Sequence, residues 1–186
     1  MQISGSSAVV FGGAGGLGEA TVRRLHGAGV KVVIADLADD KGKELAGELG
    51  VPYVRTDVTS DDDVNAAIAA AEALGPFRIS VDTHGGPAGG GRLVGKDGSP
   101  LAMEDAARDL SPLGIRVMSI APGTINTPAY GKAADQLEAY WGPQVPFPKR
   151  MGRSDEYGRL ALSIAENDYL NGETIRLDGA LRFPPK

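Results

Sequence analysis

Residues 9–18 read Val-Val-Phe-Gly-Gly-Ala-Gly-Gly-Leu-Gly, a glycine-rich run between two apolar segments. The apolar run Ala8–Phe11 predicts a buried strand, and a helical pattern over Leu17–Ala28 follows it directly. Between them lies a Gly-x-x-x-Gly-x-Gly turn made by Gly12, Gly16 and Gly18. Free N–H groups and the positive end of a helix dipole meet at such a turn, so a phosphate can bind there. Glycine also lets the backbone approach a pyrophosphate without a Cβ in the way.

Two acidic residues follow the next two predicted strands. Asp36 ends the second strand, 18 residues after Gly18. A carboxylate at this position can accept both ribose hydroxyls of an adenosine and repels a 2′-phosphate, which favours NAD over NADP. The alternative is that Asp36 only caps the strand. Asp57, followed by Val58, ends the third strand and can accept the adenine amino group, or it is an ordinary turn aspartate.

Strands and helices alternate over the first 80 residues. Further strands are predicted at Val30–Ala35, Pro52–Arg55 and Arg78–Val81, and a second helix at Asp39–Leu49. A third helix is predicted to run to about Leu74, and Ser60 and Asp63 fit a capping box at its start. Near-continuous apolar strands that alternate with helices predict a parallel sheet covered on both faces. We therefore expect an α/β fold with a doubly wound, mostly parallel, Rossmann-like sheet, in one domain over residues 1–186.

The pattern changes after residue 82. His84–Ser99 is glycine-rich and irregular, and His84 is interpreted as a loop histidine, with a general base as the alternative. The remaining pattern predicts a helix at Leu101–Leu110, a strand at Ile115–Ile120, a long proline-rich loop, a helix at Asp155–Glu166 and a strand at Glu173–Leu177.

Composition excludes several classes of function. The chain has 186 residues, 42% of them hydrophobic, with a net charge of -5, which argues against nucleic acid as a partner. No cysteine and only two histidines are present, so thiolate chemistry is excluded and a multi-histidine metal site is not expected. No leader pattern or membrane-spanning run is visible, so we expect a cytoplasmic protein with no membrane contact.

Motifs in the C-terminal half of the chain indicate a protein family. Together with the glycine turn, Ile115-Arg116-Val117 and Ala121-Pro122-Gly123 resemble the short-chain dehydrogenase/reductase family. The segments Gln144–Arg150 and Asn171–Ala180 are similar to its type II 3-hydroxyacyl-CoA dehydrogenase branch. The resemblance implies an NAD-dependent oxidoreductase that interconverts a secondary alcohol and a ketone. It also implies a small-molecule substrate, 3-hydroxyacyl-CoA or another secondary alcohol, and a homo-oligomer.

The same resemblance implies a set of cofactor-binding residues. The pyrophosphate would lie on Gly12, Gly15, Gly16, Leu17 and Gly18; the adenosine ribose on Asp36 and Leu37; the adenine on Asp57 and Val58; the ribose path along Thr83 and Gly85; and the nicotinamide beside Pro122, Gly123, Thr124 and Ile125. The chain departs from the family pattern at three places. Phe11 replaces the usual Thr, Gly15 replaces the usual Ser of the turn, and residues 82–85 read Asp-Thr-His-Gly where the family has Asn-x-Ala-Gly.

The catalytic residues of the family are missing. Its chemistry uses a Tyr and a Lys four residues apart on a helix, with a Ser on the preceding strand. The residues four positions after the five tyrosines are Asp57, Ala134, Gln144, Ala161 and Glu173, so no Tyr-x-x-x-Lys exists and no catalytic residue is assigned.

The missing part maps to one place, between about residues 104 and 107. Gly95–Gly98 resembles the family's entry to its fourth helix, whereas Ala107–Leu110 resembles the end of a later one. Strand five and its adjacent helices would be absent, so strand four either pairs with Ile115–Ile120 or leaves a gap. Two explanations stay open: the polypeptide contains a segment that this sequence lacks, or the protein is a catalytically inactive NAD-binding remnant or interaction module.

Overall fold

A computed structural model describes residues 2–84 and 103–182 of the chain. The chain divides into two units, which are described separately. The first comprises residues 1–84, 127–131 and 154–166, and the second comprises the rest. Gly85 and the predicted helix entry at Gly95–Gly98 lie outside the described residues. The assignment of a single domain stays a prediction.

A parallel sheet organises the first unit. Its strands are β1 (Ser7–Phe11), β2 (Lys31–Asp36), β3 (Tyr53–Arg55) and β4 (Phe77–Asp82), in the order β3-β2-β1-β4. The four predicted strands are therefore confirmed, and none of their ends differs from the prediction by more than one residue. Phe11 is in register with both Ala35 and Asp82, so the carboxyl ends of the three strands meet at one edge. That edge is where open α/β sheets bind their ligands.

Helices cover both faces of this sheet. They are α1 (Gly16–Gly27), α2 (Asp39–Leu49), α3 (Asp61–Leu74) and α6 (Ser154–Glu166). One face of β1 and β2, through Ala8, Val10, Val32 and Ile34, packs with α1, α2 and α6; the other, through Val9, Phe11, Val33 and Ala35, packs with α3. Successive strand residues point to opposite faces, so burial of both faces requires a continuous apolar run. The doubly wound α/β prediction is confirmed.

The helix ends follow local signals. α2 ends at Gly50, which adopts the left-handed conformation with φ 66°. At the start of α3, the Ser60 hydroxyl accepts a 3.3 Å hydrogen bond from the Asp63 N–H. The Asp63 carboxylate does not complete the predicted capping box, because it accepts the Asp57 N–H at 2.9 Å instead. The start of α3 thus also holds Asp57, two residues after the end of β3.

Helix α6 docks on α1 by a close backbone approach. A Cβ built at Gly158 would lie 2.5 Å from the carbonyl oxygen of Ala20, so α6 needs glycine at this crossing. One turn earlier, the Arg24 guanidinium donates two 2.6 Å hydrogen bonds to the Asp155 carboxylate. This ion pair is exposed, so backbone packing rather than charge dominates the docking.

The second unit holds shorter elements. They are α4 (Met103–Leu110), β5 (Ser119–Pro122), β6 (Ile125–Asn126), α5 (Ala134–Trp141), β7 (Gly152–Arg153) and β8 (Thr174–Leu177). β5 pairs with β8 and β6 with β7, both in parallel. Two predictions for this unit are confirmed at their C-terminal ends: the helix at Leu101–Leu110 and the strand at Glu173–Leu177. Of the helix, residues 103–110 are described.

Two predictions for this unit were wrong. The strand predicted at Ile115–Ile120 starts only at Ser119, because Val117 bonds to the 171–172 turn: its N–H donates to the Asn171 side chain and its carbonyl accepts the Gly172 N–H, both at 2.9 Å. The long loop, whose residues 127–131 belong to the first unit, contains α5, a 3-10 helix at Gly142–Gln144, and 3-10 turns within Pro128–Ala133 that are interrupted at Gly131, where φ is 50°. Proline fits the first positions of a helix, where its missing N–H has no partner to lose.

The described strands form three separate sheets. Among the described residues, β4 pairs with β1 alone, and β5 pairs with β8 in a separate two-stranded sheet. Direct pairing of β4 with the 115–120 segment, one of the two expected outcomes, is therefore not among these ladders. Within residues 2–84 and 103–182, the Rossmann-like order β3-β2-β1-β4 ends at β4.

Candidate nucleotide-binding site

The glycine turn closes against the ends of its neighbouring strands. Gly12 has φ +74°, a conformation that favours glycine, and its N–H donates to the Ala35 carbonyl at 2.8 Å. A Cβ at Gly12 would lie 2.8 Å from the backbone nitrogen of His84, beyond the end of β4. The Gly12 carbonyl accepts the Gly15 N–H at 3.0 Å, which completes the turn.

Gly16 and Gly18 also have no room for a side chain. A Cβ at Gly18 would overlap the carbonyl oxygen of Gly12. A Cβ at Gly16 would lie 2.7 Å from Pro128 and 2.9 Å from the Cβ of Thr127. The sequence reasoning assigned no role to Thr127 or Pro128, because only the tertiary structure brings them to the turn.

The first turn of α1 offers unpaired N–H groups. Its N-cap is Gly15, which is exposed, and no described side chain caps the helix. The N–H groups of Gly16, Leu17 and Gly18 start a helix whose first turn cannot be satisfied internally. This arrangement suits an anion, because the N–H groups and the positive helix dipole point the same way.

The carboxylate of Asp36 is bound on both oxygens. Oδ2 accepts the Ala14 N–H, and Oδ1 accepts the Ala38 N–H, each at 2.9 Å. Asp36 therefore joins the glycine turn to the start of α2. The neighbouring Leu37 is 51% exposed at the same edge of the sheet, as an adenosine-facing residue would be.

Asp57 lies in a tight local turn. Its Oδ1 accepts the Thr59 hydroxyl at 2.7 Å and the Thr59 N–H at 2.9 Å. These two hydrogen bonds hold the pKa of Asp57 below its usual range, and the bond from the hydroxyl contributes most. Val58 packs against the apolar core on the α3 side. The turn contacts match the alternative interpretation of Asp57, and its contact with adenine stays a prediction.

Residues 82–84 tie the end of β4 to the glycine turn. The Thr83 N–H donates to the Phe11 carbonyl at 2.9 Å, and its hydroxyl lies 2.9 Å from that oxygen and 3.2 Å from the Gly12 carbonyl. The imidazole Nδ1 of His84 stands 3.9 Å from Asp82 Oδ1. This separation is longer than a hydrogen bond, so the role of His84 as a general base stays an open alternative.

A buried tyrosine lies in the first unit. Tyr157, on α6, is 7% exposed. Burial, with a smaller contribution from the negative charge of Asp82, raises its pKa. The phenol therefore stays protonated at neutral pH, and it lies in the electrostatic field of the β4 end.

A cleft of about 340 Å³ opens beside the glycine turn. Its walls come from the turn, from α1 and α2, and from residues 128–129. Across it, the Arg23 guanidinium is held by Glu19 at 2.9 Å and by Glu48 at 2.7 and 2.6 Å. Lys41 lines the same cleft, and it makes no ion pair in the part of the chain that the structure describes.

In the second unit, the residues that the resemblance assigns to the nicotinamide follow β5. The Gly123 N–H donates to the Leu177 carbonyl at 2.9 Å, and a Cβ at Gly123 would lie 2.7 Å from that of Asp178. Pro122 ends β5 and Ile125 begins β6. The Thr124 hydroxyl is buried and makes no hydrogen bond within the described residues. An unsatisfied buried hydroxyl is rare, and a ligand is one way to satisfy it.

Asp178 stabilises the turn after β8. Its Oδ2 accepts Arg176 Nε at 2.8 Å and Arg182 Nη1 at 2.6 Å, and its Oδ1 accepts the Ala180 N–H at 3.0 Å. Burial alone would raise the pKa of Asp178. The bonds from Arg176 and Ala180 and the charge of Arg182 outweigh burial and hold the pKa below its usual range.

The variant Asp178→Asn is expected to destabilise the second unit at pH 7. A carboxyl whose pKa is lower in the folded state stabilises that state above its unfolded pKa, about 3.9, and loses this effect as the pH falls through the folded pKa. The gap between the variant and the original chain should therefore close below about pH 4. Urea unfolding followed by the fluorescence of Trp141, the single tryptophan, measures this gap.

Asp109→Asn is the matched control, because Asp109 is exposed in the same unit and makes no ion pair within the described residues. A gap for Asp178→Asn that stays constant from pH 7 to pH 3 would contradict the prediction.

Other types of site find no support in the described part of the chain. In residues 2–84 and 103–182, no three His, Cys, Asp or Glu side chains are grouped as a metal site would need. No helix among them has the length and hydropathy to cross a membrane.

Comparison with known proteins agrees with the geometry. The short chain dehydrogenase family model matches residues 6–89, and the enoyl-(acyl carrier protein) reductase model matches residues 94–181. The 3-hydroxyacyl-CoA dehydrogenase type-2 proteins of Drosophila melanogaster and Homo sapiens are each 32% identical over 99% of this chain, and the match covers 100% and 98% of their own lengths.

A solved structure gives the same result. The 3-hydroxyacyl-CoA dehydrogenase type-2 of Mycobacterium avium is 40% identical, with a TM-score of 0.87, and the match covers 100% of this chain and 99% of that one. The alignments with the fly and human proteins extend over 255 positions, whereas this chain has 186 residues, so several tens of positions have no counterpart here. With its glycine turn, its β3-β2-β1-β4 sheet and these full-length matches, the chain belongs to the short-chain dehydrogenase/reductase family.

Proposed function

We propose that this protein binds NAD and acts as a short-chain oxidoreductase that interconverts a secondary alcohol and a ketone, with 3-hydroxyacyl-CoA as its substrate. The observation that carries the proposal is the glycine turn, closed so tightly that Gly12, Gly16 and Gly18 cannot carry a Cβ, with the Asp36 carboxylate bonded to it. A turn of this kind fits a dinucleotide, because it sets the first N–H groups of α1, which have no partner inside the helix, where a pyrophosphate can bind them.

Each part of the site has a task in this proposal. The N–H groups of Gly16, Leu17 and Gly18 bind the pyrophosphate at the start of α1. Asp36 accepts the adenosine ribose hydroxyls, and its negative charge repels a 2′-phosphate, so NAD is preferred to NADP. When bound, NAD supplies the hydride acceptor for the alcohol. The assignments of Asp57, Val58, Thr83 and Gly85, and of Pro122–Ile125, rest on the family resemblance.

The choice of substrate rests on the relatives. The fly, human and Mycobacterium avium relatives, at 32–40% identity, are named 3-hydroxyacyl-CoA dehydrogenase type-2, and the C-terminal motifs of this chain resemble that branch. We take the substrate to contact the 124–149 segment, which includes α5. The homo-oligomeric state expected of the family, and the cytoplasmic location expected from the sequence pattern, stay parts of the same proposal.

A second candidate function is an NAD-binding module without turnover. The absence of a Tyr-x-x-x-Lys pair from the sequence favours it, because no group is then assigned to move the hydroxyl proton. In the part of the chain that the structure describes, the sheet ends at β4, which is consistent with the same loss. In the enzyme proposal, the catalytic Ser, Tyr and Lys belong to a segment of the polypeptide that this sequence lacks.

Three measurements on the purified protein separate the candidates. Calorimetric titration should show saturable binding of NADH, with NADPH at least about tenfold weaker. An intact mass above 19.2 kDa together with NADH oxidation by acetoacetyl-CoA supports the enzyme. A mass of 19.2 kDa with binding and no turnover supports the module. Absence of NADH binding would overturn both candidates.

A further inference from the structure

We infer that Asp36 is a positioning residue for the glycine turn, and that it orders the pyrophosphate site as well as binding the ribose. This inference rests on the proposed function, since it concerns how the same dinucleotide is held. It assigns to Asp36 a second task that does not involve contact with the ribose.

The end of β2 holds the turn by three consecutive N–H groups. The Ala35 carbonyl accepts the N–H of Gly12 at 2.8 Å and that of Gly13 at 3.2 Å. The next N–H, that of Ala14, donates to Asp36 Oδ2 at 2.9 Å. The first two bonds go to backbone and survive any substitution, whereas the third depends on the side chain at position 36.

Ala14 has little alternative to this bond. It is 8% exposed, so its N–H has limited access to water. The following N–H, of Gly15, already donates to the Gly12 carbonyl. A buried donor without an acceptor is costly, so loss of the Asp36 carboxylate should make the turn rearrange immediately before the start of α1.

The two tasks of Asp36 are compatible. A carboxylate offers about four acceptor directions. The N–H groups of Ala14 and Ala38 occupy one direction on each oxygen, which leaves about two for the 2′- and 3′-hydroxyls of a ribose. The carboxylate is thus oriented before a ligand arrives, and the ribose does not have to displace the turn.

Loss of the Asp36 carboxylate has opposite expected effects on diphosphate affinity under this inference and under simple electrostatics. Removing a negative charge beside a diphosphate should strengthen its binding, whereas disorder of the turn should weaken it. The probe is 2′,3′-dideoxyadenosine diphosphate, which carries the diphosphate but lacks both hydroxyls that Asp36 would bind. ADP is the reference ligand, because it has both.

Calorimetric titrations of the full chain should show that Asp36→Ala weakens binding of the dideoxy ligand by about tenfold. Asp36→Asn has the same charge as Asp36→Ala but keeps one acceptor oxygen, so it should fall between that variant and the original chain. Asp40→Ala, an exposed acid on α2 with no hydrogen bond or ion pair within the described residues, is the control and should bind both ligands normally. Equal or tighter binding of the dideoxy ligand by Asp36→Ala would overturn the inference.

Amide hydrogen exchange in the free protein gives an independent measurement. The Ala14 N–H should exchange slowly in the original chain and in Asp40→Ala, and much faster in Asp36→Ala; unchanged protection would overturn the inference. If Asp36→Ala does not fold, Asp36→Asn serves in both experiments. If the original chain binds neither ADP nor NADH, the proposed function fails, while the exchange rates still decide the role of Asp36 in the turn.

Discussion

Gly18→Val is expected to abolish NADH binding, with a loss of about 100-fold or more in affinity. A Cβ at this position overlaps the Gly12 carbonyl oxygen and lies 2.7 Å from the Thr83 hydroxyl, so the turn cannot keep its conformation. Both contacts are with groups fixed by hydrogen bonds, and no flexible side chain can move aside. The N–H groups that would bind the pyrophosphate are displaced with the turn.

Calorimetric titration with NADH measures this loss, and circular dichroism shows whether the variant is folded. Gly47→Ala is the matched control, because Gly47 lies inside α2 and a Cβ there meets nothing within 4 Å. That control should bind NADH normally and gain about 0.5–1 kcal/mol of stability from the lower chain entropy of alanine. Near-normal affinity in Gly18→Val would show that the turn does not hold the cofactor.

Gly158→Leu is expected to destabilise the first unit by about 3 kcal/mol. A Cβ at Gly158 lies 2.5 Å from the Ala20 carbonyl oxygen and 3.1 Å from the Thr21 nitrogen, so α6 must move away from α1. Movement of α6 would also expose the core that it covers with Ala165, on the face shared with Val22 and Leu25. Urea unfolding followed by circular dichroism measures the change.

Arg24→Met is the comparison for this variant, because it removes the exposed ion pair to Asp155 and leaves the backbone contact in place. It should cost no more than about 1 kcal/mol. A larger effect for Arg24→Met than for Gly158→Leu would show that charge, and not backbone packing, docks the helix.

The strand–turn–helix at residues 7–27 could be predicted because its signals are local. The apolar run, the glycine spacing and the acid at position 36 each act within a short stretch of chain. The same holds for Gly50, whose left-handed conformation ends α2. The strand predicted at 115–120 was misplaced because its backbone partners, at 171–172, are distant in sequence.

The α/β class, the glycine turn and the acid that follows the second strand could all be predicted from the sequence, since periodicity and glycine spacing are properties of neighbouring residues. What closes the turn became visible only in three dimensions: Asp36 bonds to the Ala14 N–H, Thr127 and Pro128 pack against Gly16, and Thr83 lies against the Gly12 carbonyl. The physical reason is that a hydrogen bond or a close backbone contact depends on the positions of two separate segments. Those positions are set by the packing of the sheet and its helices, which a linear pattern does not contain.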